Sequence, residues 1–261
     1  MSSIVTDQGS VHYETYGHGA PVILLHGWAG SWGLWQPTME ALAGQYRCYA
    51  LDFWGFGESG KKRESYTLGD FIALVAQFME ALGIVAAPLI GHSMGGTTSL
   101  GMAINYPDRV KKVCIIGSPI VGSSLTLALR LAGVPWIGSL ARRTPAALKV
   151  GVRLFAPRIT REHKRWYPMV MRDLSSTTVE SFFRSIGSLR RTDLRPLLGA
   201  VRVPTMGIYG ARDVIVNPQQ HALLRAGVPQ ARIEIMPQSG HFPMIDEPEK
   251  YLALIRSFLE S

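Results

Sequence analysis

The chain has 261 residues, 47% hydrophobic and 18% charged, which is enough apolar material for one large domain and too much for a disordered chain. No apolar run reaches the roughly 18 residues of a membrane-spanning helix, and the start MSSIVTDQGSVHYE lacks the basic and apolar blocks of a signal peptide. The net charge of +8 is uneven: residues 118–196 hold 14 of the 27 Lys and Arg but 4 of the 19 Asp and Glu, so the basic character belongs to one internal segment.

In chain order, VHYETYG (11–17) alternates and predicts a strand, and PVILLHG (21–27) is a short apolar run ended by Gly, the pattern of a buried strand. WQPTMEALAG (35–44) has helical spacing, and RCYALD (47–52) reads as a further buried strand. TLGDFIALVAQFMEALG (67–83) predicts an amphipathic helix, with Thr67 as N-cap, Asp70 at N3 and Gly83 as its stop. APLIG (87–91) is a strand, SMGGTTSLGMAINYP (93–107) a helix stopped by Pro107, and VKKVCIIG (110–117) a strand. VPTMGIYG (203–210) and ARIEIMP (231–237) complete the strands, with helices near 218–226 and 248–260. Strands alternating with helices predict an α/β fold: a mostly parallel sheet covered on both faces. The alternation stops between about 118 and 200, where a helical stretch carries Pro135, Pro145, Pro157 and Pro168. It reads as a helical cap inserted at 118–200 into a core made of 1–117 and 201–261. Cys48 and Cys114 sit in strand-like runs, as buried free thiols without metal-ligand company; a cytoplasmic home follows from them.

Gly91-His92-Ser93-Met94-Gly95 matches G-x-S-x-G and lies between a strand and a helix. The turn must be sharp, and glycine leaves room for it. Ser93 is then exposed at a helix N-terminus, where backbone N–H groups favour an anion. A nucleophilic serine needs a base. Of the seven histidines, His241 stands in SGHFP after a buried strand, at the sheet edge where all parallel strands end. His92 is expected to point away from Ser93's side of the turn and His26 to fix a turn. His12, His18, His163 and His221 read as surface residues. The base needs an orienting carboxylate. Asp213 follows a strand in GARD, whereas no Asp or Glu occurs between Asp108 and Glu162 to serve the loop after VKKVCIIG. Asp52 is read as stabilising a glycine turn. Gly55-Phe56-Gly57-Glu58-Ser59-Gly60 fits a dinucleotide fingerprint, yet polar KKRES intervenes before the next helix, so nucleotide binding is not expected.

With LLHGWAGSWGLW (24–35), DFWGFGES (52–59), GHSMGG (91–96), GARD (210–213) and SGHFP (239–243), the chain resembles the α/β-hydrolase fold family over nearly its whole length, with the chain order Ser93, Asp213, His241. The resemblance implies an oxyanion hole from the backbone N–H groups of Trp28 and Met94. It departs from the family at Trp54, where a basic residue is usual. In the cap, Arg142, Lys149 and Arg153 share one helix face and Leu148, Val152 and Phe155 another. Three arrangements stay open: a solvated helix packed on the core, arginines turned inward to a carboxylate, or arginines outward beside Trp136, Ile137 and Leu140 against an anionic membrane. Trp28, Trp136 and Trp166 are candidates to line an acyl pocket. The resulting expectation is a serine esterase of lipase-like type, acting on a small-molecule ester of acyl or lipid-like kind. It needs no cofactor or metal, binds no nucleic acid, and leaves the oligomeric state open. The alternative is a C–C hydrolase or lyase that uses the same three residues on a carboxylate-bearing substrate.

Overall fold

The computed structural model describes residues 2–61, 65–132 and 145–261. Expectations resting on Pro135, Trp136, Ile137, Leu140 and Arg142, and on the side chains of Leu148 and Lys149, lie outside the described residues. Eight strands form one sheet in the order β1-β2-β4-β3-β5-β6-β7-β8. β3 (Ala20–Leu25), β4 (Tyr46–Leu51), β5 (Ala87–His92), β6 (Val110–Ile116), β7 (Thr205–Gly210) and β8 (Arg232–Met236) run parallel. β1 (Ser2–Thr6) and β2 (Gly9–Tyr16) add an antiparallel edge. β1 is an element that the sequence reading missed. Its alternation is confined to five residues, and it is the outermost strand of the sheet.

Leu24, Ala50, Ile90, Cys114 and Ile208 face one side of the sheet and Ile23, Leu25, Leu51, Leu89 and Ile115 the other, so each face has its own apolar cluster. The first is covered by α1 (Gln36–Leu42) and by α10 (Pro248–Glu260) through Tyr251, Ile255 and Phe258. The second is covered by α2 (Leu68–Ala81) and α3 (Met94–Asn105), with Phe71, Val75, Phe78 and Leu100 inward. α2 starts as its sequence predicts: the Thr67 hydroxyl accepts from Asp70 N–H, and the Asp70 carboxylate accepts from Thr67 N–H at 2.6 Å. Cys48 and Cys114 are buried free thiols.

Between β6 and β7 lie α4 (Leu127–Ala132), α5 (Pro145–Ile159), α6 (His163–Ser176) and α7 (Val179–Arg191). Pro157 and Pro168 sit inside helices rather than ending them. The two ends of this stretch are pinned together by a bridge of Val121 with Asp193, and by the Gly122 N–H donating to Thr192 O at 2.8 Å. α8 (Gln220–Gly227) follows β7, and the short α9 (Pro243–Asp246) precedes α10. Among the described residues, no helix is long and apolar enough to cross a membrane.

Candidate active site

Parallel pairing places the ends of β3, β5, β7 and β8 along one edge, and the site is assembled there. Ser93 N–H extends the β5–β6 ladder by donating to Ile116 O at 2.8 Å, and the chain then turns at once into α3. Ser93 bears the strain, with φ +52° and ψ −118°. A Cβ at Gly91 would strike the Gly95 backbone, and one at Gly95 would strike the Leu25 carbonyl. Glycine at both positions is what lets β3, β5 and α3 approach this closely. The Ser93 carbonyl accepts from Gly96 and Thr97, and its side chain makes no capping bond to the helix. That side chain lines a cavity of about 520 Å³.

His241 lines the same cavity. Its Nδ1 lies 2.7 Å from Asp213 Oδ2, with both side chains buried. The other Asp213 oxygen accepts from Ile215 N–H at 2.7 Å and Val216 N–H at 2.9 Å. A carboxylate held this way accepts a hydrogen bond from Nδ1–H, which leaves Nε2 of the ring as the basic nitrogen. The backbone of His241 is gripped on both sides: its N–H donates to Ile159 O at the end of α5 at 2.8 Å, and its carbonyl lies 2.9 Å from His92 Nε2.

The turn after β3 packs on the serine, since a Cβ at Gly27 would come within 3.1 Å of Ser93 Cβ. Trp28 follows this glycine, and Met94 is the first residue of α3. Among the described residues, neither the Trp28 nor the Met94 N–H donates to a backbone carbonyl. The Trp28 indole donates to Phe182 O at 2.8 Å, which ties the turn to α7.

Two histidines differ from their sequence reading. His92 does not turn away: its ring packs on His241 with centroids 4.7 Å apart and lines the cavity. Because its Nε2–H donates to the His241 carbonyl, its Nδ1 is an unprotonated nitrogen, and burial together with the neighbouring His241 holds its pKa well below 6.5. His12 is buried rather than exposed and lies 3.1 Å from Asp52 through Nδ1. Its strand pairs with β4, which a local reading does not reveal. His26 does fix a turn: it is fully buried, accepts from Phe53 N–H at 3.0 Å, and burial lowers its pKa to about 4. Asp52 stabilises the glycine turn, accepting from Trp32 N–H at 2.7 Å and Glu58 N–H at 2.9 Å, while burial pushes its carboxyl up to about 7. Trp54, the departure from the family pattern, is fully buried in the core.

The cavity is lined by Trp28 and Trp166, by Val152 and Phe155 of α5, and by Phe182 and Phe242. No Lys or Arg lines it among the described residues, and Arg153 is exposed. Among the described residues the one lining carboxyl group is Asp173 of α6, which the sequence reading did not single out; an acid in a basic helical segment looks like part of a solvated face. Among the described residues, no group of three or more His, Cys, Asp or Glu could hold a metal ion.

Known proteins bear on this geometry. The chain is 30% identical over 263 residues to 2-hydroxy-6-oxo-6-phenylhexa-2,4-dienoate hydrolase of Comamonas testosteroni, covering 95% of this chain and 91% of the relative. It is 25% identical over 264 residues to pimeloyl-[acyl-carrier protein] methyl ester esterase of Vibrio parahaemolyticus, covering 96% and 98%. The solved enol-lactonase of Burkholderia xenovorans superposes with a TM-score of 0.87 over the whole of both chains at 22% identity, a likeness of fold. A family model described as the alpha/beta hydrolase fold matches residues 20–248, and with that match over most of its length the chain belongs to the alpha/beta hydrolase family.

Proposed function

We propose that this hydrolase cleaves carboxylic esters through Ser93, His241 and Asp213. The observation that carries the reading is the buried His241–Asp213 contact facing the same apolar cavity as the strained Ser93. Ser93 Oγ attacks the ester carbonyl while His241 Nε2 takes its proton. The N–H groups of Trp28 and Met94 hold the developing oxyanion, each contributing about 3–4 kcal/mol to the transition state. His241 passes the proton to the departing alkoxide. Water then loses a proton to His241, attacks the acyl-enzyme and frees Ser93. Asp213 keeps the imidazole in the tautomer that this sequence needs.

Residues 118–200 serve as a cap whose aromatic and aliphatic side chains take the acyl group. Ser93→Ala should abolish turnover of p-nitrophenyl butyrate and labelling by a fluorophosphonate probe. Activity at the unsubstituted level would end the assignment. On α5, Val150, Leu154 and Phe155 are exposed beside Arg153 and Arg158, a pattern suited to an anionic lipid surface. Co-sedimentation with phosphatidylglycerol vesicles, lost at high salt, is the expected outcome.

The second reading is C–C cleavage of a carboxylate-bearing substrate, favoured by the name of the Comamonas relative. Turnover of 2-hydroxy-6-oxo-6-phenylhexa-2,4-dienoate faster than of simple esters would select it.

A further inference from the structure

Asp173 is 2% exposed, yet it lines the cavity that holds Ser93. Its hydrogen bonds are lopsided. Oδ1 accepts from Ser31 Oγ at 2.9 Å and from Arg172 Nε at 3.3 Å, while Oδ2 takes no hydrogen bond among the described residues. Desolvation raises its pKa, opposed by the Ser31 hydroxyl and by Arg172, whose own side chain is 62% exposed. A carboxyl group with one oxygen unengaged in a largely apolar cavity is costly unless something donates to it. The neighbouring lining is Ala29, Gly30 and Leu34 from the turn after β3, and Met169 and Val170 from α6. None of these side chains supplies a donor.

We propose that Asp173 Oδ2 is a substrate-recognition site: it accepts a hydrogen bond from a hydroxyl group on a neutral ester, and it repels substrates that carry a carboxylate in this part of the cavity. The proposal rests on the ester-hydrolase reading and narrows it, naming hydroxylated neutral esters as the preferred class. A hydrogen bond to a charged acceptor in a water-poor site discriminates strongly, because the analogue without the donor leaves the acceptor unpaired. The charge works in the opposite sense on an anion, since Arg172, its cationic contact among the described residues, is largely exposed and offsets the burial only in part.

Asp173 also ties α6 to the loop after β3 through Ser31, so a purely structural role has to be separated. The experiment measures kcat/KM for p-nitrophenyl hexanoate, its positional hydroxyhexanoate isomers and the ω-carboxylate mono-ester. At least one hydroxylated isomer should exceed the parent ester by about tenfold, mainly through KM, and the ω-carboxylate ester should be the poorest substrate. Asp173→Leu should bring the ratio of hydroxylated to parent ester near one. Asp173→Asn keeps a carbonyl acceptor and loses the charge, so it should retain part of the hydroxyl preference while accepting the ω-carboxylate ester better. Ser31→Ala removes the tie alone and should leave the ratio standing.

Equal rates for every hydroxylated isomer and the parent in the unsubstituted enzyme overturn the proposal. So does a ratio that survives Asp173→Leu. Failure of the underlying reading looks different: no ester is turned over and Ser93 is not labelled by the fluorophosphonate.

Discussion

Ser93 is held at φ +52°, a conformation that costs a non-glycine residue about 1–3 kcal/mol. The β5–β6 ladder on one side and the first turn of α3 on the other hold it there. The strain places the hydroxyl over the cavity rather than in the turn, and this positional effect is readable from the sequence because the glycines that permit it are within two residues. The contact between Asp213 and His241 was legible for a similar reason, each residue following a recognisable strand on the same edge. His92, His12 and Asp173 were not legible. Their burial depends on which distant segments cover them, and no local pattern separates a buried polar residue from a solvated one. Asp213→Asn tests the residue scale. It should leave the fold intact and lower kcat by about 10⁴, as the ring loses the partner that selects its tautomer. Steady-state rates on p-nitrophenyl butyrate, with a thermal melt as control, measure it.

At the scale of elements, strands and helices followed from periodicity wherever a face was buried over several turns. β1 escaped because five residues at a sheet edge alternate too briefly. The helices between β6 and β7 were foreseen as helical from composition, while Pro157 and Pro168 lie inside helices that tertiary contacts sustain. The reciprocal hydrogen bonds of Thr67 and Asp70 were legible because the capping pattern is contained in four residues. Thr67→Ala should therefore destabilise the protein by about 1 kcal/mol, seen as a lower urea midpoint with an unchanged slope, and leave ester turnover untouched.

For the whole molecule, the buried titratable groups set the response to pH. His26, with its pKa lowered to about 4, and His92, well below 6.5, are neutral in the fold and take up protons on unfolding. A histidine whose folded pKa is depressed makes stability fall as pH drops from about 6.5 toward the folded value. Asp52, raised to about 7, acts in the opposite sense: between about 4 and 7 the folded state holds the proton, so its contribution falls as pH rises. Three lowered histidines, His12 among them, act against two raised carboxyls, Asp52 and Asp173, so stability should fall between pH 6.5 and pH 5. Urea unfolding at those two pH values reads it, and greater stability at pH 5 would contradict the balance.

The bridge between Val121 and Asp193 has a consequence for how such proteins diversify. The chain leaves the sheet and returns to it through the same doorway, where Val121 and Asp193 stand side by side. The entropic cost of closing a loop grows only slowly with its length, by about 0.6 kcal/mol for each doubling. Segments of different length and lining should therefore be exchangeable at this junction, with the strand edge that carries Ser93, Asp213 and His241 left in place. A graft made at Val121 and Asp193 would transplant substrate preference as a unit.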